Sequence, residues 1–416
     1  MDTLRQMGET MYPGIDPEEG RKELLSWCRQ LPDGKGGQMS MDLPIIREQT
    51  AGIYIHVPFC TAKCPYCNFY SVKADEVLMD AYTGQICRAL ENSARRWPRQ
   101  ADTLYFGGGT PILLGARRIG QILDVARRYF GLEHAEITLE ANPASTLEQT
   151  LQELYAAGIN RLSFGMQSAD GMELKRLGRR HTAQEAALAV AHAQKAGIPN
   201  ISLDLMLGIP QQTVQSVEKS IAFCVETGVS HISAYLLKIE EDTPFGRDGT
   251  ADCCPDPDIQ AELYLHAVNV LEHNGFFQYE ISNFARPGFH SRHNCKYWLG
   301  AEYLGLGPAA HSLMAGQRFF FPRDLGRFLS AKDPLSLLQD DGPGGGPAEY
   351  AMLGLRLTQG ICREEAAARC PDYDWDGLWQ RARIMIRAGY MRLEKGRLFF
   401  TPEGFLLSNS ILARLL

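Results

Sequence analysis

The chain has 416 residues, 45% hydrophobic and 22% charged, with a formal net charge of -7 and a sequence pI near 5.9. That length suits two or three globular domains, and the acidic balance argues against attraction to nucleic acid through the field of the whole molecule. The opening residues, MDTLRQMGETMYPGIDPEEG, lack the apolar core of an export signal, and no run of about 18 apolar residues occurs. The expectation is a cytoplasmic protein with no membrane span. Eleven cysteines in such a chain point to reduced thiols, some of them metal ligands, rather than to a disulfide framework.

Residues 1–50 read as an N-terminal extension, with helical spacing over 17–31 and a Gly-rich connector, PDGKGGQMSMD, behind it. From Ile53 onward, short apolar runs alternate with amphipathic stretches. Strands are expected at Ile53–Val57, Thr103–Phe106, Glu136–Leu139, Arg161–Phe164, Ile201–Met206 and His231–Leu236. Helices are expected over Glu76–Arg96, Ala116–Tyr129, Leu147–Ala157, Ala183–Ala196 and Val214–Glu226. Such alternation implies a parallel sheet with right-handed crossovers. Six βα units fall short of the eight of a closed barrel, so the fold class is α/β with an open, partial (β/α)6 barrel. The core is assigned to 51–285, a connecting segment to 286–345, and a tail of helices with a short hairpin to 346–416.

The stretch HVPFCTAKCPYCNFY (His56–Tyr70) places Cys60, Cys64 and Cys67 within eight residues. Thiolates bind zinc or iron–sulfur clusters. A structural zinc takes four ligands, and the adjacent pair Cys253 and Cys254 is poorly spaced to complete one. A four-iron cubane has four corners, and three cysteines leave its fourth iron open to a small molecule. The loop follows the first strand, so it lies at the carboxyl end of the strands, where barrel enzymes carry their active sites. The same face collects other polar positions. Gly107–Gly109 allow close backbone approach, or simply a tight turn. Glu140 ends the third strand, where it can accept hydrogen bonds from hydroxyl or ammonium groups or cap the next helix. Gln167 follows the fourth strand, Arg179 lies twelve residues on, where a guanidinium can hold a carboxylate, and Asp204 sits in the fifth.

The pattern C-x-x-x-C-x-aromatic-C resembles the signature of the radical SAM superfamily. The resemblance implies a 4Fe-4S cluster on Cys60, Cys64 and Cys67, whose open iron chelates S-adenosylmethionine and cleaves it to a 5′-deoxyadenosyl radical. It also implies cofactor contacts from Tyr54, Tyr66, Gly108, Gly109, Thr110, Glu140, Gln167, Arg179 and Asp204, and from Lys238 through its backbone.

Further text narrows the branch. YEISNFARPGFHSRHNCKYWLGAEYLGLGPAAHS (Tyr279–Ser312), RLSFGMQS and FTPEGFLLSNSILARLL resemble the oxygen-independent coproporphyrinogen dehydrogenase-like family, and within it the heme chaperone branch. The match runs from about Ala51 to Leu416, and the tail is similar to that family's winged-helix-like domain. The decarboxylating enzymes carry a further cysteine two residues after the third; here that residue is Phe69. The chaperone branch carries H-N-x-x-Y-W, present as His293 to Trp298. The resemblance implies heme as a ligand, with His293 as the iron-binding residue and Cys295 or His290 as alternatives. Implied partners are a heme-acceptor protein, a reductant such as flavodoxin or ferredoxin, and a second copy of the chain; nucleic acid is not among them. Two readings stand: a heme chaperone, or an enzyme that oxidatively decarboxylates porphyrinogen propionates.

Overall fold

The structure, a computed structural model, describes residues 50–416; the extension, with its expected helix at 17–31, lies outside the described residues. The chain runs β1 (Thr50–Val57), α1 (Glu76–Arg96), β2 (Gln100–Gly108), α2 (Gly115–Phe130), β3 (Glu136–Ala141), α3 (Glu148–Ala157), β4 (Arg161–Gln167), α4 (Ala183–Lys195), β5 (Asn200–Leu207), α5 (Val214–Glu226), β6 (His231–Leu236) and α6 (Pro257–His273). These strands pair in sequential order and all in parallel. Six βα units are therefore present, as the alternation predicts. The strands are buried on both faces because helices cover one side and the barrel interior the other.

Local chemistry sets the helix ends. Asp75 caps α1 by accepting from the Leu78 N–H, and Thr182 with Glu185 forms a capping box on α4. The inward stripe of α1 includes Met79, Tyr82, Ile86 and Leu90, spaced as one helical face. Tyr82 is fully buried, and its hydroxyl finds the one partner such a group requires: it donates to the His56 carbonyl at 2.6 Å. That bond, worth about 1 kcal/mol, ties α1 to the end of β1 just before the cysteine loop.

The segment beyond 275 is more than a connection. It contributes the antiparallel β7 (Asn283–Ala285) beside β6, the short helix α7 (Arg292–Trp298), and β8 (Tyr303–Leu306), which adds a further parallel strand on the outer side of β1. Antiparallel β9 (His311–Met314), β10 (Gln317–Phe320) and β11 (Gln339–Pro343) extend that edge. The described sheet has 12 strands and runs from β11 to Phe277–Gln278 without closing.

The tail holds α8 (Pro347–Gly354), α9 (Arg363–Arg369), α10 (Trp375–Arg387), the hairpin β12 (Met391–Glu394) and β13 (Arg397–Phe400), and two short terminal helices. Ile361–Cys362 pairs with β13, making a three-stranded sheet beside the helices. This helix, strand, helix, helix, hairpin order is that of a winged helix. No helix among the described residues is long and apolar enough to cross a membrane.

Candidate cofactor site

The carboxyl ends of the strands open into a cavity of about 310 Å³ that Cys60, Cys64 and Cys67 all line. The loop that carries them is pinned at both ends. Phe59–Cys60 pairs with Val72–Lys73, Val72 N–H donates to the Pro58 carbonyl, and Ala74 N–H to the Cys60 carbonyl. Cys67 N–H closes a turn onto the Cys64 carbonyl at 3.1 Å. All three thiols are free and half-buried. Among the described residues no set of three His, Cys, Asp or Glu side chains converges on a point suited to a single metal ion. Three soft sulfurs spread around one loop fit separate irons of a cluster better than one tetrahedral zinc. Among the described residues no other cysteine lines this cavity.

The glycine run brings the end of β2 against this loop. Gly109 N–H donates to the Val57 carbonyl and Thr110 N–H to the Phe59 carbonyl, at 2.8 and 2.7 Å. A Cβ on Gly109 would stand 2.6 Å from the Phe59 oxygen, and one on Gly108, whose φ is +109°, 2.7 Å from the His56 ring. Neither position tolerates a side chain. Thr110 Oγ1 lies 3.7 Å from the Cys60 sulfur.

Glu140 accepts from the Tyr105 hydroxyl at 2.8 Å and from the Gly108 N–H at 3.1 Å. Burial, partly offset by these donors, pushes its pKa up to about 7. Asp204 accepts from Ser163 at 3.0 Å and Ser202 at 3.4 Å, and burial raises its pKa to about 6. Gln167 lies where the β4–β5 register shifts, at a φ of +72°, and its Oε1 accepts from the Tyr235 hydroxyl at 3.0 Å. This left-handed backbone is costly for a non-glycine residue and turns the side chain into the cavity. Arg179 donates to the Gly165 carbonyl and, at 3.5 Å, to the Cys64 sulfur, while its Nε is buried without a partner. Tyr66 lines the cavity, and burial raises the pKa of its hydroxyl. Phe69 stands at the mouth, 63% exposed.

One expected residue, Tyr54, is placed differently. Tyr54 is outside the cavity lining; its hydroxyl meets His56 Nδ1 at 3.1 Å, and His56 Nε2–H donates to the Tyr70 carbonyl in the cysteine loop at 3.0 Å. Lys238, expected to act through its backbone, has its side chain 82% exposed and paired with Glu240. Several lining residues went unremarked in the sequence: Arg161, Ser163, Ser202, His231, Ser233 and Tyr235. Their signal was legible, because they recur at every second position of β4, β5 and β6.

His293 is not on this face. The helix that bears it, α7, seals the amino end of the strands. The Glu136 carboxylate accepts from the Arg292 and His293 N–H groups at 3.0 and 2.9 Å, a favourable arrangement at a helix N-terminus. Lys296, buried, pairs with Asp102 at 2.7 Å. His293 is 1% exposed, with Nδ1 2.8 Å from Thr103 Oγ1 and Nε2 2.8 Å from the Tyr297 hydroxyl. The shared face expected for residues 293 and 297 is present, but it faces inward. Burial lowers the His293 pKa to about 3. An imidazole with both nitrogens so engaged offers no lone pair to heme iron, and Cys295 is fully buried with its thiol pKa raised by burial. His290 is also buried; its Nε2 has no hydrogen-bond partner.

Residues 54–224 match the family model of the radical SAM superfamily. Over 381 residues the chain is 34% identical to a Mycobacterium tuberculosis protein named heme chaperone HemW, covering 88% of this chain and 95% of that one. It is 33% identical to the Escherichia coli protein of the same name, covering 86% and 96%. Its fold is similar to that of the Escherichia coli coproporphyrinogen III oxidase HemN, with a TM-score of 0.77 at 19% identity over 88% of this chain and 90% of that one. The chain therefore belongs to the radical SAM superfamily, which implies a 4Fe-4S cluster and S-adenosylmethionine, and within it to the HemW family.

Proposed function

We propose that the protein is a heme chaperone, which binds heme and delivers it to an acceptor protein while carrying a cluster on Cys60, Cys64 and Cys67 with S-adenosylmethionine beside it. When bound, the cluster supplies an electron to the cofactor's sulfonium. The chain's own residues hold and shield. Arg179 holds the cofactor's carboxylate, and Gly108, Gly109 and Thr110 present backbone toward its methionine end. Glu140, Gln167 and Asp204 offer acceptors to its amine and hydroxyls, Tyr66 covers it, and Lys238 reaches it through its backbone alone. Tyr54 acts through His56, which holds the cysteine loop.

The observation that carries the chaperone reading over the enzyme is Phe69. An exposed aromatic ring stands at the cavity mouth where the decarboxylating pattern has a cysteine, alongside identity to proteins named heme chaperones over most of the chain. The alternative, an oxygen-independent coproporphyrinogen III dehydrogenase, draws on the completeness of the cofactor cavity. Heme ligation by His293 requires α7 to swing out, and its flanks, Gly288 and Gly300, both have left-handed φ values, 85° and 61°, that suit a hinge. The division at 50/51, 285/286 and 345/346, a flavodoxin or ferredoxin as reductant, a homodimer and a cytoplasmic location complete the proposal.

Anaerobic incubation of the cluster-loaded protein with coproporphyrinogen III separates the two readings. Absence of protoporphyrinogen, together with a heme spectrum on added hemin that weakens in His293→Ala, is the expected result. Product formed over many turnovers would overturn the chaperone.

A further inference from the structure

The deep end of the cavity contains a cation that no cofactor role employs. Arg161 opens β4, is 1% exposed, and lines the cavity. Its Nε is buried without a hydrogen-bond partner, and its charge acts on Glu140 and Asp204 through space, with no direct hydrogen bond or ion pair to either. A fold rarely leaves such a group unpaired, because its desolvation is not recovered. The carboxylates that line the same cavity are occupied elsewhere, Glu140 by Tyr105 and Gly108 and Asp204 by Ser163 and Ser202. His231, also at this end, is engaged on both nitrogens, by Ser202 and by Tyr279 at 2.8 Å each. Ser233 and Asn294, by contrast, line the cavity with side chains that have no hydrogen bond among the described residues. Asn294 comes from α7, so the helix that closes the barrel also furnishes the floor of the cavity.

We propose that Arg161, with Ser233 and Asn294, forms a carboxylate-binding subsite at the closed end of the cavity, separate from the residues assigned to S-adenosylmethionine. The guanidinium fork matches a planar carboxylate, and two neutral side chains satisfy its remaining lone pairs. The nearby Glu140 and Asp204 select for a single negative charge over a phosphate dianion. The ligand is an alkyl carboxylate, either the propionate arm of a tetrapyrrole that enters while α7 is closed, before any ligation by His293, or a free small acid; only the first source rests on the proposed function.

The test titrates carboxyl-13C propionate into anaerobic, cluster-loaded full-length protein saturated with S-adenosylmethionine, observed by NMR. One saturable site is expected, weakened at least tenfold in Arg161→Gln and several-fold in Asn294→Ala, the second variant standing in should the first fail to fold. No saturable binding to the unaltered protein, wild-type affinity in Arg161→Gln, or complete exclusion of propionate by S-adenosylmethionine would each overturn the subsite. Displacement of propionate by hemin but not by its dimethyl ester assigns the subsite to a tetrapyrrole arm. Displacement by neither assigns it to a free acid and leaves the carboxylate site standing. Failure to bind hemin at all removes the chaperone reading without altering the propionate titration.

Discussion

Replacing His293 with alanine separates a structural histidine from a ligand held ready. In heme-free protein the change removes two buried hydrogen bonds, to Thr103 and Tyr297, and leaves both hydroxyls without that partner. Each lost bond costs about 1 kcal/mol, each stranded hydroxyl up to about 1–2 more, and the cavity adds to this, for a total of roughly 3–5 kcal/mol. In a chain of this length that lowers Tm by about 4–6 °C. The sign of the pH dependence gives a second handle. Burial holds the His293 pKa near 3 against 6.5 when unfolded, so the neutral ring's contribution is complete above 6.5 and is lost as pH falls toward 3. At pH 5 the unaltered protein has given up about 2 kcal/mol of it, and the variant has nothing to give up, so the measured cost shrinks by that amount. Urea denaturation at pH 7.5 and pH 5, with exposed Phe69→Ala as the control, reads both numbers. An unchanged heme-free stability in His293→Ala would refute the placement of α7 as the seal of the barrel.

Other outcomes follow from the same geometry. Cys60→Ala, Cys64→Ala and Cys67→Ala should each abolish the visible absorption of the reconstituted cluster; full retention in all three would mean the ligands lie elsewhere. Glu140→Gln removes a carboxyl whose folded pKa, about 7, is raised above the ordinary 4.5 by burial. The cost of ionising it grows as pH rises between those values, so the variant should gain roughly 3 kcal/mol on the unaltered cofactor-free protein from pH 4.5 to 8; a pH-independent difference in urea titrations would contradict this. Lys296→Met strands Asp102 in the interior and should cost roughly 3 kcal/mol, lessened by Arg292 at 3.7 Å, whereas adding Asp102→Asn should restore most of the loss. A double-mutant cycle showing simple additivity would exclude the coupling.

The six strands and five helices read from periodicity all exist, with ends displaced by a few residues. The displacement matters at the site. β2 runs on through Gly107 and Gly108, β3 through Glu140, and β4 to Gln167, so the cofactor face is built on strand ends rather than on loops. Periodicity could not show this, because glycine and acidic residues count against a strand. The short strands β8 to β11 were hidden for a related reason: four or five residues around glycines carry too little pattern to tell a strand from a connection. The cysteine spacing declared itself, since few other arrangements put three thiols on one loop. His293 was the opposite case. A histidine at i, i+4 from a tyrosine is equally consistent with an open ligand and with a buried strut, and only the packing of α7 on Thr103, Glu136 and Asp102 decides between them. Arg161 was read as the start of a strand; that its Nε lacks a hydrogen-bond partner is a property of three dimensions.

The measurement that bears most directly on the account is iron and acid-labile sulfide content of protein purified without air, before and after S-adenosylmethionine is added under electron paramagnetic resonance. About four irons and four sulfides per chain, with a reduced-cluster signal that S-adenosylmethionine alters, is the predicted result. A single zinc at Cys60, Cys64 and Cys67, or a cluster signal indifferent to S-adenosylmethionine, would contradict it.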